Sequence, residues 1–158
     1  MSEGYRIPDE PRPGPLAEWA VNPFWPLLAM MLGGAWIGLP WFLFNGYAIG
    51  SATFTKEAVI TVLTPVVAVA LLFLGLVVMQ SADWPQRALN YIIVFVTAAK
   101  LGGGYWLYST QSPSFEIYEW FGGKVRQGMI LAIVASVARS YVVGPAFKAS
   151  IWLGIVVM

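Results

Sequence analysis

From Ala58 to Met79 the chain runs for 22 residues without a charge, through Val, Leu, Ala and Ile with one proline, Pro65. A helix of that length is about 33 Å long at 1.5 Å per residue, matching a hydrocarbon core about 30 Å thick. Backbone in lipid must satisfy its own hydrogen bonds, so such a run is expected to be helical. The composition extends the argument to the rest of the chain. Of its 158 residues, 58% are hydrophobic and 11% charged, with a mean hydropathy of +0.69. An average soluble domain carries about 25% charged residues, and a soluble fold this small leaves too much surface exposed to hide so many apolar side chains. The expected fold class is all-α: a polytopic integral membrane helical bundle with about four transmembrane helices.

Four segments qualify as spans, over about 26–44, 57–79, 88–109 and 127–146. A polar, proline-rich tail over 1–22 precedes the transmembrane domain at 23–158. Pro23, Phe24 and Trp25 form a proline–aromatic start suited to the membrane interface. Pro40 implies a kink near the end of the first span, and Gly144–Pro145 a break or bend in the fourth. The remainder, 147–158, is too short to cross alone and is expected to form a partial helix. The connecting loops are 45–56, 80–87 and 110–126, and in the last of these Phe115 to Phe121 is expected to lie along the interface as a short amphipathic segment. With four spans, Arg6, Arg12, Arg87 and Lys148 face Lys56, Lys124 and Arg126 across the bilayer. The positive-inside rule then favours a cytoplasmic N-terminus in a plasma or inner membrane, by a margin of about one residue.

The missing residue types exclude chemistry. With no cysteine and no histidine, the chain lacks thiol chemistry and the usual protein ligands for haem iron, zinc and copper. No cofactor and no metal are expected. Net charge is +1, so nothing points to a nucleic-acid partner. Serine nucleophiles need a base nearby; pairs with Lys100 or Lys148 are arithmetically possible, but no motif supports them. Beyond Glu57, which opens the second, no acid falls inside the four predicted spans, which disfavours a proton relay. The sequence therefore reads as that of a protein that is not an enzyme.

Two cations do fall inside apolar segments. Lys100 lies deep in the third span and Arg139 near the middle of the fourth. A central arginine costs about 2.5–3.5 kcal/mol on the insertion scale, so such residues usually face a bundle interior or a watery cavity. They are candidates for lining a path for anions or lipid phosphates, against the plainer alternatives of snorkelling or of pairing with backbone carbonyls released at a helix break. Small residues supply the other signal. Gly34-x-x-x-Gly38, Gly102 with Ala98, and Ser136 with Ala132 and Ser140 have the spacing at which helices in lipid approach closely.

Three functional expectations follow. The first is a non-catalytic structural or accessory subunit of a membrane complex or homo-oligomer, with the lipid bilayer and other membrane subunits or further copies of itself as partners. The second is a channel or transporter-like oligomer for anions or lipids, with Lys100 and Arg139 lining the path. The third, a lipid-modifying membrane enzyme using Asp83, Glu116 and Glu119, is the most weakly supported.

Overall fold

Gly34 breaks the first apolar segment in two. Its backbone sits at φ 107°, ψ 173°, a region open essentially only to glycine. In the computed structural model, which describes residues 12–150 except Asp83 and Gln86, together with Gly154 and Met158, helix α1 runs over Phe24–Gly33 and α2 over Ala35–Ile49. At 10 and 15 residues, the two are about 15 and 22 Å long, each short of a bilayer core. They fold back on one another as a hairpin. A Cβ on Gly38 would overlap Met30, so the legs touch just beyond the turn. At the open end the Val21 N–H donates to Asn45 Oδ1 at 2.9 Å, and Val21 packs with Ala29 and Trp41. The continuous span expected over 26–44 is thus a helix–turn–helix, because a single glycine takes a conformation that hydropathy does not register.

The other helices are longer. α3 covers Phe54–Ser81, α4 covers Ala88–Trp120 and α5 covers Met129–Ala149. Among the described residues these make an all-helical protein, with one short 3-10 turn at Ala17–Trp19 and no named strand. Among the described residues, two helices are long and apolar enough to cross a membrane, α3 throughout and α5 over Met129–Ala146. α4 runs 11 residues past its predicted end at 109, taking up most of the expected loop 110–126. Phe115 and Tyr118 of that extension are buried with Ala20 and Ile49, while Trp120 and Phe121 stay exposed. α5 continues without a break through Gly144–Pro145, and its regular backbone ends only at Ser150, with ψ 137°. Of the expected partial helix over 147–158, residues 151–153 and 155–157 lie outside the described residues, as do residues 1–11 of the expected tail.

α3 and α4 form an antiparallel pair, α5 packs on α1, and the hairpin sits between them. The main core joins Met30, Leu39 and Phe42 of the hairpin to Ile60 of α3 and Leu107 of α4. A Cβ on Gly33 would come within 2.9 Å of Ala135 Cβ on α5, so the hairpin turn is pressed against the middle of that helix. Much apolar surface faces outward. Val62 is 63% exposed, Phe73 60% and Ile130 72%. Burying a side chain of this kind is worth about 1.5–3 kcal/mol, and a dozen left in water would forfeit more than the whole stability of an ordinary domain.

Contacts between distant segments tie one end of the molecule together. The Arg12 N–H donates to the Gly50 carbonyl at 2.9 Å and the Arg126 N–H to the Ala20 carbonyl at 2.8 Å. Arg126 Nε donates to the Glu18 carbonyl at 2.9 Å, and its guanidinium lies 4.2 Å from the ring centre of Trp19. The Tyr118 hydroxyl lies 3.0 Å from the Ala17 carbonyl and 3.1 Å from that of Lys124. Burial pushes this phenol above its usual value near 10. The unfolded chain therefore releases the proton first, so the tie is intact below about pH 10 and is lost as pH rises beyond it. Tyr118→Phe should cost about 1 kcal/mol, seen as a fall of a few degrees in the unfolding midpoint at neutral pH. A midpoint equal to wild type would show that the hydroxyl carries no net stabilisation.

Candidate functional site

The most developed polar site is one that the sequence conceals. Glu57, in the first turn of α3, and Gln111, on the α4 extension, are both 0% exposed, as is Asn45 near the end of α2. Glu57 Oε1 accepts from the Ser51 hydroxyl and, at 2.9 Å, from that of Thr53. Glu57 Oε2 accepts from Gln111 Nε2 at 2.8 Å. The same Nε2 donates to the Phe42 carbonyl at 3.0 Å. Gln111 Oε1 in turn accepts from Asn45 Nδ2 at 2.8 Å, and Asn45 Oδ1 accepts from the Val21 N–H. Ser114, one turn beyond Gln111, meets the Ser51 hydroxyl at 3.1 Å.

The chemistry of each group fits its place. A carboxylate only accepts, and here every partner donates; the two amides use both their ends. An acid in the first turn of a helix also meets the positive end of the helix dipole. Gly46 leaves room for the network, since a Cβ there would overlap Glu57 Oε2 and come within 2.8 Å of Gln111 Nε2. The network joins the segment before α1, the end of α2, the 50–53 loop, α3 and α4. Among the described residues, no buried side-chain nitrogen or oxygen is left without a partner.

The sequence-predicted cations meet elsewhere. Lys100 is 2% exposed on α4, and Arg139 is half-buried on α5. Both line a small cavity of about 40 Å³ with Met30, Met31, Ala35 and Thr97, at the turn of the hairpin. Arg139 Nη1 donates to the Leu32 carbonyl at 3.3 Å, one of the carbonyls that α1 leaves without a helical partner where it ends. A cation at a helix C-terminus also meets the negative end of its dipole. Met158 reaches the same turn, its carbonyl accepting from the Ala35 N–H at 3.2 Å.

The small residues divide. Gly34 forms the hairpin turn and Gly38 the contact between its legs. A Cβ on Gly102 would meet nothing within 4 Å among the described residues; the close approaches fall at the next two residues, Gly103 against Thr64 and Gly104 against Met30. Ser136 is exposed, and the α5 contact with the hairpin runs through Ala135. Glu116 and Glu119 are exposed at the far end of α4, and Asp83 lies outside the described residues.

Sequence reasoning missed Glu57 and Gln111 because both stood at predicted boundaries, one opening a span and the other in a loop. A usable signal was present: Asn45 inside an apolar helix, and the hydroxyls of Ser51 and Thr53 just before an acid that opens an uncharged run. Comparisons with protein-family models, with curated proteins and with solved structures give no match for this chain.

Proposed function

We propose that the protein is an integral membrane subunit with a structural or accessory role, in which α3, α4 and α5 cross the bilayer and the α1–α2 hairpin enters and leaves on the same side. The observation that carries this reading is the sealed network around Glu57. Its buried side chains spend their hydrogen bonds on one another, locking three helices and the loop before α3, while the outward faces of α3 and α5 are apolar. A polar interior used for locking and an apolar exterior suit a part that others assemble on. Depth agrees: α1 is about 15 Å long, which places the Gly34 turn near the middle of a 30 Å core.

The hairpin also alters the orientation argument. The network end now gathers Arg12, Lys56, Lys124 and Arg126, against Arg87 and Lys148 at the other. The positive-inside rule favours placing the network end, and with it the N-terminal segment, in the cytoplasm of a plasma or inner membrane.

The test is native mass spectrometry of the protein gently extracted from its own membrane. The expected result is a fixed stoichiometry with unlike membrane subunits, or a closed homo-oligomer. A monomer with no co-purifying protein would overturn the accessory role. A second reading, an oligomeric path for anions or lipids, is favoured by the convergence of Lys100 and Arg139 on one cavity at a helix break, where transporters often hold ligands. On that reading Arg139→Ala abolishes anion flux in proteoliposomes; wild-type vesicles as tight as protein-free ones would dismiss it.

A further inference from the structure

Two grooves follow one another along the outer seam of α3 and α4. The first has a cavity volume of about 530 Å³. Its walls are Val59, Leu63 and Val67 on α3 with Ala99 and Trp106 on α4, and Gly103 opens its floor. Lys56, Thr55 and Thr110 close one end, at the level of the Glu57 network. The second, of about 520 Å³, continues the seam between Leu71, Leu74, Ile92 and Phe95, ending at Trp84 and Tyr91, with no charged residue among its described lining.

The first groove has the outline of one leaflet. From Lys56 to Val67 is about 16 Å of helix at 1.5 Å per residue, half of a core of about 30 Å. Its polar end combines an exposed ammonium, two hydroxyls and the first turn of α3, whose dipole favours an anion. Its other end is wholly apolar. A partner helix laid along the seam would have no use for a cation and two hydroxyls at one end of the groove. An amphiphile with a phosphate and a chain matches both the length and the charge.

We propose that this groove holds an acyl chain of an anionic phospholipid of the network-side leaflet, with the lipid phosphate at Lys56 and the hydroxyls of Thr55 and Thr110 beside it. This rests on the membrane reading above. The groove selects by charge at its head and by shape along its length; the second groove, with no cation among its described lining residues, accepts chains without regard to headgroup.

The test uses the whole protein in phosphatidylcholine nanodiscs doped with phosphatidylglycerol that carries a photoreactive diazirine halfway along one chain. Labelling is expected on the peptides containing Leu63 and Ala99. Unlabelled phosphatidylglycerol should compete about fivefold better than phosphatidylcholine, the effect of one lysine at an anionic surface. Lys56→Gln should bring that ratio to about one, and Leu63→Trp, which fills the groove from an exposed position, should remove labelling there while the second groove is still labelled. Equal competition by the two lipids in wild type overturns the proposal, as does labelling unchanged by Leu63→Trp. Protein that fails to enter nanodiscs and washes from membranes in carbonate removes the membrane reading and this one together. Protein that inserts but shows no headgroup preference removes only this one.

Discussion

Glu57→Ala should destabilise the lipid-embedded protein by roughly 3–5 kcal/mol, and Glu57→Gln by only about 1–2. The difference follows from which partners can rotate. When the carboxylate is removed, the Ser51 hydroxyl can turn to Ser114 and the Thr53 hydroxyl to the Thr110 carbonyl, already 3.4 Å away. Gln111 cannot turn in this way: one Nε2 hydrogen stays on the Phe42 carbonyl and the other points into the vacated space. A buried donor left without a partner costs about 1–3 kcal/mol, and losing hydrogen bonds to a charged group about as much again. In Glu57→Gln the new amide oxygen faces Gln111 Nε2, and its nitrogen donates to the two hydroxyls, which reverse their roles. Thermal unfolding in nanodiscs of fixed composition measures both variants. Adding Gln111→Leu to Glu57→Ala should recover nothing, because it removes the orphaned Nε2 donor but takes away the acceptor of buried Asn45 Nδ2. If Glu57→Ala melts with Glu57→Gln, the network is not what fixes α3 to α4.

This network shows what the sequence could and could not carry. The apolar runs announced helices because lipid-scale hydropathy is a sum over about 20 residues and tolerates local error. The 58–79 run accordingly lies within α3. The same sum conceals single residues. Glu57 looked like the polar residue that stops a span, but Gln111 comes from a helix expected to have ended at 109, and only pairing across helices shows that the two are one site. Lys100 and Arg139 stood out in the sequence as cations inside apolar segments, from their depth alone. Their meeting was not, since it depends on a turn between α1 and α2 that puts the Leu32 carbonyl in reach of Arg139. The loop expected at 110–126 fails for a related reason: Gln111, Ser114 and Tyr118 are polar, yet their partners lie on other segments, so their polarity marked buried bonds and not solvent.

Opening the hairpin is the sharpest test of the fold, and two small substitutions should achieve it. Gly34→Ala forces a side chain into backbone at φ 107°, costing about 1–3 kcal/mol, while alanine favours continuing the helix by about 1 kcal/mol over glycine. Alone it is opposed by the bonds from Asn45 to Val21 and to Gln111, so the expected result is a less stable hairpin that stays closed. Adding Gly38→Leu drives a side chain into the Cα and Cβ of Met30, and legs that cannot touch lose what opposes straightening. The chain contains no cysteine, so spin labels can be placed at will. Phe24→Cys and Tyr47→Cys fall at positions 48% and 56% exposed, at the open ends of the two legs. Pulsed dipolar spectroscopy should give one short distance in the otherwise wild-type chain and in Gly34→Ala. In the combined variant a continuous helix would hold the labels about 35 Å apart, from about 23 residues at 1.5 Å each. That separation also carries residue 24 from the network-end interface to the opposite one, so a membrane-impermeant thiol reagent should reach the two introduced thiols from opposite sides. A short distance retained in the combined variant would mean that Asn45 and its partners, and not the glycines, decide that this segment turns back.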